Sequence, residues 1–244
     1  MNTAIEIDGL TKQYDTKLAV DHVSLSIRQG ELFGLLGVNG AGKTTLIKML
    51  SCLTKPTNGE AFLFGNSILK NPQKVKACIA VSPQETAIAA NLSVRENLEL
   101  MAGVHGFDQS ETKKKTDEMI ELFSLGPMEK QRSKTLSGGW KRRLSIAMAL
   151  ICDPKILFLD EPTLGLDILA RRELWAVIRN LKSKATIILT THYLEEAEAL
   201  SDRICIMKDG KIKALGTAEE LKQQAGTERF EDAFVKLATE GDVT

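Results

Sequence analysis

Gly37-Val38-Asn39-Gly40-Ala41-Gly42-Lys43-Thr44-Thr45 fits the Gly-x-x-x-x-Gly-Lys-Thr pattern of a phosphate-binding loop. It follows Glu31 to Leu36, which reads as a buried strand, and precedes Leu46, Ile47 and Leu50, an apolar set at helical spacing. The glycines permit the tight curl that turns successive N–H groups toward phosphate oxygens. In such a loop Lys43 reaches the terminal phosphates and Thr44 ligates magnesium, while the helix opening near Gly42 presents its positive end. Gly37, Asn39, Gly40, Gly42, Lys43, Thr44 and Thr45 are therefore the expected nucleotide contacts.

A second stretch bears on the same chemistry. Ile156-Leu157-Phe158-Leu159 is a continuous apolar run ending in Asp160-Glu161. Such a run reads as a strand buried on both faces of a parallel sheet, whose carboxyl end delivers polar residues where ligands bind. There Asp160 is placed to hold magnesium, directly or through water. Glu161 is the candidate to orient and polarise an attacking water. The plainer alternative is an acidic pair that caps the following turn. A phosphate loop in the same chain favours the catalytic reading.

At 244 residues, 43% of them hydrophobic, the chain can bury a sizeable core as one domain with a lobe. Lysine plus arginine and aspartate plus glutamate each total 32, a formal net charge of zero. That balance argues against a nucleic-acid binder relying on bulk electrostatic attraction, so no nucleic-acid partner is expected. Cys52, Cys78, Cys152 and Cys205 are scattered without metal-ligand spacing. Their apolar neighbours predict small buried thiols in a reducing compartment. The first residues show no basic segment followed by an apolar core, and no apolar run is long enough to cross a bilayer. A cytoplasmic protein is expected, with any membrane-spanning part supplied by a partner.

Alternation at Ile5 and Ile7, then at Val23, Leu25 and Ile27, predicts half-buried antiparallel strands flanking the nucleotide site. Glu60 to Phe64 and Ala77 to Ser82 read as further strands. From Ser93 to about Leu150 the pattern becomes helical, opening on a capping box of Ser93 and Glu96 and broken at Gly126-Pro127. Strand patterning resumes at Ile156 to Asp160 and Thr186 to Thr190, with a helix from about Ala170 to Leu181 between them. Asp209-Gly210 signals a two-residue hairpin joining Ile204–Lys208 to Lys211–Leu215. A short polar helix with Phe230, Phe234 and Leu237 at helical spacing finishes the chain. His22, His105 and the run Lys113-Lys114-Lys115 read as surface or structural residues.

Between the two phosphate-site motifs lies Leu136-Ser137-Gly138-Gly139-Trp140-Lys141-Arg142-Arg143-Leu144, which closely resembles the signature motif of the ABC ATPases. Trp140 departs from the glutamine commonest there. The resemblance covers nearly the whole chain, with the family's other short motifs in order. Gln84, in Val81-Ser82-Pro83-Gln84, resembles the Q-loop glutamine, which in the family touches magnesium and the attacking water. Leu164-Gly165-Leu166-Asp167 resembles the D-loop, and His192, in Thr190-Thr191-His192, resembles the switch histidine. Tyr14 is positioned like the aromatic residue that stacks on adenine.

Each of these also has a plainer reading from the residues. Ser137-Gly138-Gly139 opens an apolar helix, so its amides and hydroxyl form an anion site, though alone an ordinary N-cap is the better reading. Gln84 alone is a loop residue, and Tyr14 alone covers a sheet. Asp167 is either a dimer contact or the cap of the Ile168 to Leu181 helix. His192 follows a strand end, where an imidazole can bond a γ-phosphate oxygen or the water.

The family resemblance implies an α/β fold: a P-loop NTPase core with an antiparallel β subdomain (about 1–92 and 151–216), an inserted helical subdomain (about 93–150) and a helical tail (about 217–244). It also implies ATP and magnesium as ligands. A second ATPase chain would face this one head to tail, each signature motif meeting the γ-phosphate in the other's P-loop. Because the chain carries a complete catalytic set, a homodimer is the simpler expectation. An integral membrane permease subunit would hold the pair at the inner face of the cell membrane.

Ala19-Val20-Asp21-His22-Val23-Ser24-Leu25, Phe33-Gly34-Leu35-Leu36-Gly37 and the tail Phe230-Glu231-Asp232-Ala233-Phe234 resemble the ATPase subunits of multidrug, antibiotic and sodium efflux systems. An importer subunit and a non-transport regulatory ABC ATPase are the alternatives, since both share the catalytic motifs.

Overall fold

A computed structural model describes residues 2–239. The chain opens with two long antiparallel strands, β1 (Thr3–Tyr14) and β2 (Lys17–Arg28), then β3 (Leu32–Leu36) and the phosphate-loop helix α1 (Lys43–Leu50). Next come β4 (Asn58–Leu63), β5 (Asn66–Ser67), α2 (Pro72–Lys76) and β6 (Ile79–Ser82). Three helices follow without an intervening strand: α3 (Val94–Val104), α4 (Gln109–Leu122) and α5 (Gly138–Leu150). Then come β7 (Ile156–Asp160), α6 (Ile168–Asn180), β8 (Thr186–Thr191), α7 (Leu194–Leu200), β9 (Arg203–Lys208) and β10 (Lys211–Gly216). Helices α8 (Ala218–Ala225) and α9 (Phe230–Thr239) complete the described chain.

These strands form two sheets. One is antiparallel, in the order β2-β1-β4-β5; the other runs β10-β9-β3-β8-β7-β6. In the larger sheet every pairing from β9 to β6 is parallel, and β10 adds an antiparallel edge. All residues of β3, β7 and β8 are buried, as expected of central strands covered on both faces. By contrast β2 alternates, with Val20, Val23, Leu25 and Ile27 inside and their neighbours turned outward. One apolar core lies between the antiparallel sheet, α1 and one face of the larger sheet, including Ile5, Leu46 and Phe158. A second joins the three helices to the opposite face through Leu98, Leu144, Leu157 and Leu189.

Local chemistry sets several boundaries. Ser93 and Glu96 form the expected capping box, with Ser93 Oγ accepting from the Glu96 N–H and the Glu96 carboxylate accepting from the Ser93 N–H. Asp209 and Gly210 have φ of 50° and 78°, the paired left-handed conformation that suits a two-residue hairpin between twisted strands. The tail holds two helices instead of one. Capped by Thr217, α8 ends at Gly226, and α9 buries Phe230, Ala233 and Leu237. That packing against α7, α8, β9 and β10 is ordinary amphipathic docking. The expectation of buried thiols holds only for Cys205; Cys52, Cys78 and Cys152 are half-buried because each sits at an element end. Burial pushes the Cys205 thiol up to about 12, so it is inert as a nucleophile.

Candidate functional site

The carboxyl ends of β3, β7 and β8 lie side by side, and each delivers polar residues to one place. From β3 comes the phosphate loop. Gly42 sits at φ 103°, and a Cβ there would lie 2.5 Å from the Ala19 carbonyl oxygen, so only glycine lets the loop pass beneath β2. Asn39, Gly40, Gly42, Thr44 and Thr45 line a polar cavity of about 220 Å3. Lys43 is buried, and its Nζ donates to the carbonyls of Gly37 (2.6 Å) and Val38 (3.3 Å). Burial pulls the Lys43 ammonium below the ordinary lysine range, and the carboxylates of Glu161 and Asp160 offset part of that pull.

β7 ends at Asp160, beside Thr44, and the next residue, Glu161, lines the cavity. Thr44 Oγ1 donates to Asp160 Oδ1 at 3.3 Å, and Thr190 Oγ1 donates to the same oxygen at 2.5 Å. Glu161 lies at φ 49°, a left-handed conformation that costs a non-glycine residue about 1–2 kcal/mol. Its N–H donates to the Thr190 carbonyl (3.1 Å) and to Thr190 Oγ1 (3.0 Å). Held this way, Glu161 turns its carboxylate back to the phosphate loop, with Oε1 3.5 Å from Lys43 Nζ and Oε2 2.8 Å from His192 Nδ1. Backbone strain at such a position is characteristic of functional sites.

Gln84 and His192 also line this cavity, together with Lys17 and Ala19 from β2 and Leu164 from the turn after Glu161. Tyr14 does not. It stands 43% exposed at the β1–β2 turn, paired with Lys17, and Lys12 Nζ lies 4.9 Å from its ring centroid. Ser137, Gly138, Gly139 and Asp167 are likewise outside the cavity lining. Ser137 is the N-cap of α5, yet its side chain makes no capping bond. It is exposed, as are Gly138 and Asp167. Asp167 caps α6, its Oδ1 accepting from the Ala170 N–H at 2.9 Å. Beside these residues Ile168 and Leu169 are 68% and 74% exposed.

Several residues outside the motifs' expected contacts also shape the site. Thr190 fixes both acidic residues, and a hydroxyl at the carboxyl end of an apolar strand was the available signal. Arg142, inside the signature-like stretch, is buried beneath the site. Glu196 is fully buried, its Oε1 accepting from Thr163 Oγ1 (2.8 Å) and Trp175 Nε1 (3.0 Å). It thereby ties the turn after Glu161 to α6 and α7. A larger hollow of about 570 Å3 reaches the far side of His192, but its walls mix Arg171 and Arg229 with four glutamates and include no residue of the phosphate loop.

Burial pushes the Glu196 carboxyl above its ordinary value of 4.5, and the side chains of Thr191, Thr163 and Trp175 offset part of that rise. A raised carboxyl favours the fold below the unfolded pKa, and the advantage is lost as pH climbs through the folded pKa. Glu196→Gln has no such proton to lose. Urea unfolding from pH 4.5 to 8 is expected to show the variant gaining stability relative to the parent as pH rises. A pH-independent difference would mean that Glu196 titrates normally.

A phosphate loop, a buried acidic pair at the end of β7 and a parallel sheet with its polar residues at the carboxyl edge define a P-loop nucleotide hydrolase. Residues 20–164 match the family described as ABC transporter. The chain is 40% identical over 231 residues to the daunorubicin resistance ATP-binding protein DrrA3 of Streptomyces coeruleorubidus, covering 94% of this chain and 73% of that protein. It is 43% identical over 226 residues to the doxorubicin resistance ATP-binding protein DrrA of Mycobacterium tuberculosis, covering 91% and 68%.

Among solved structures, an ATP-binding subunit of an ABC transporter superposes with a TM-score of 0.84 at 29% identity, covering 96% of this chain and 99% of that one. A dimeric ATP-binding cassette in a post-hydrolysis state, bound to ADP and Pi, superposes with a TM-score of 0.78 at 26% identity, over 87% and 98%. The chain belongs to the ABC transporter family. It is an ATP-binding, ATP-hydrolysing transporter subunit.

Proposed function

We propose that the chain powers efflux, acting as one of two ATPase chains that ATP draws together on an integral membrane permease. The observation that carries this reading is the split of the phosphate-recognising groups. The P-loop cavity is complete on its own side, whereas Ser137 and Gly138 present an uncapped hydroxyl and an exposed helix N-terminus away from it. A second chain turned head to tail would bring its Ser137-Gly138-Gly139 to the γ-phosphate, and the exposed Leu164, Ile168 and Leu169 would be covered in the contact. The simplest pair is two identical chains. Efflux is supported by the drug-resistance relatives.

Within the site, Lys43 and the loop amides hold the phosphates, and Glu161 takes the proton of the attacking water. His192 fixes the Glu161 carboxylate through the 2.8 Å contact at Nδ1. The oxygens of Thr44 and Asp160, 3.3 Å apart, with Gln84 on the same wall, are the hard-oxygen donor set that suits magnesium. When bound, magnesium supplies positive charge against the phosphate oxygens. Tyr14 is assigned to adenine, which would extend beyond the phosphate cavity toward the β1–β2 turn; base stacking there is worth about 1–3 kcal/mol. Asp167 serves the dimer contact while capping α6.

No described helix is long and apolar enough to cross a membrane, so the permease would hold the pair at the cytoplasmic membrane face. An affinity pull-down of the Glu161→Gln chain from detergent-solubilised cells, with ATP and magnesium, tests this. Recovery of a multi-span membrane protein is expected, and its type separates an exporter from an importer. Ribosomes or DNA complexes without any membrane protein would contradict transport.

A further inference from the structure

Arg142 lies one turn into α5, and only 4% of it is exposed. Among the described residues no carboxylate forms an ion pair with it. Its Nε donates to the Pro162 carbonyl (2.8 Å), Nη2 to the Asp160 carbonyl (2.6 Å), and Nη1 to the carbonyls of Pro83 (2.5 Å) and Gln84 (3.3 Å). These acceptors flank the site residues themselves. Pro83 and Gln84 belong to the loop after β6, while Asp160 and Pro162 enclose Glu161. Burying a guanidinium is unfavourable unless its donors are satisfied. Burial lowers its pKa to about 10, and the charges of Asp160, Glu196 and Glu161 oppose that fall. The group therefore stays charged at neutral pH. Its neighbour Arg143 is half-buried and pairs elsewhere, with Glu173 and the ring of Trp140.

We infer that Arg142 is a positioning residue that ties the attitude of α5 to both Gln84 and Glu161. The inference rests on the roles given above to those two residues. Helix α5 begins at Ser137-Gly138-Gly139, so any shift of this helix when its N-terminus engages phosphate is carried by one planar fork into both halves of the catalytic wall. A rigid fork suits this task because its donors point in fixed, divergent directions. A lysine in its place keeps the charge but cannot reach all of these carbonyls in a fixed geometry. Misplacement of a catalytic group by about 1 Å can cost about a hundredfold in rate.

The test compares Arg142→Lys, Arg142→Met, Gln84→Ala and the Arg142→Lys/Gln84→Ala double variant, measuring kcat and, separately, the Kd for a fluorescent ATP analogue. Arg142→Lys is expected to lower kcat about tenfold and Arg142→Met more, with Kd within about twofold of the parent, because the phosphate loop is untouched. In the double variant the combined loss should fall short of the product of the single losses, since both act on one loop. A parental kcat in Arg142→Lys would overturn the inference. So would a Kd that weakens in step with kcat, or single losses that simply multiply. A parental kcat in Gln84→Ala alone would instead overturn the role of Gln84, leaving Arg142→Lys to decide whether Arg142 acts through Glu161. Arg142→Lys retains the buried charge, so the comparison does not depend on Arg142→Met folding.

Discussion

Glu161→Gln is expected to keep ATP bound while slowing its hydrolysis about a hundred- to ten-thousandfold, the range of general-base catalysis. In barrier height that is about 3–5 kcal/mol. The substitution keeps side-chain length and one oxygen, so the contact with His192 Nδ1 at 2.8 Å can persist. The unusual backbone at φ 49° is secured by Thr190 and not by the carboxylate. What disappears is the ability to accept a proton from water. Single-turnover hydrolysis, with nucleotide affinity measured alongside, checks both halves of the expectation. A parental rate would remove Glu161 from the chemistry; lost affinity would mean that the carboxylate helps hold the phosphates.

Lys43→Ala should act on the opposite side of that division. Its ammonium is buried among loop carbonyls and lies 3.5 Å from Glu161 Oε1, placed where phosphate charge would gather. A hydrogen bond to a charged group is worth about 1.5–3 kcal/mol, so ATP affinity should fall about ten- to a hundredfold. Hydrolysis would fall with it, because a weakly held phosphate chain is also poorly placed for in-line attack. Fluorescence titration with an ATP analogue measures the effect. Unchanged affinity would contradict the assignment of Gly37 to Thr45 as the phosphate cradle.

These residues were readable in the sequence because their chemistry is local. A phosphate loop needs its glycines, lysine and threonine at fixed spacing, and a two-sided buried strand leaves an apolar run before Asp160. Ser93 with Glu96, and Asp209 with Gly210, were legible for the same reason: caps and tight hairpins are closed by residues a few positions apart.

Features made by distant segments were not legible. Periodicity does not reveal that Arg142 bonds carbonyls 18 to 59 positions away, nor that Thr190 orders both acidic residues. The left-handed turn at Glu161 is equally hidden, because glutamate carries no local preference for it. Tyr14 reads from the sequence as an adenine contact and stands at the β1–β2 turn, outside the phosphate cavity that Lys17 and Ala19 of β2 line. Strand register, with Tyr14 opposite Lys17, sets that separation, which no local pattern reveals.

ATP is expected to draw two of these chains together through Ser137-Gly138-Gly139. The most direct measurement is the solution mass of Glu161→Gln by light scattering, with ATP and magnesium or with ADP. The expected result is a doubling of mass with ATP but not ADP, and its loss when Ser137→Arg is added. A single-chain mass under conditions where ATP is demonstrably bound would rule out ATP-driven pairing.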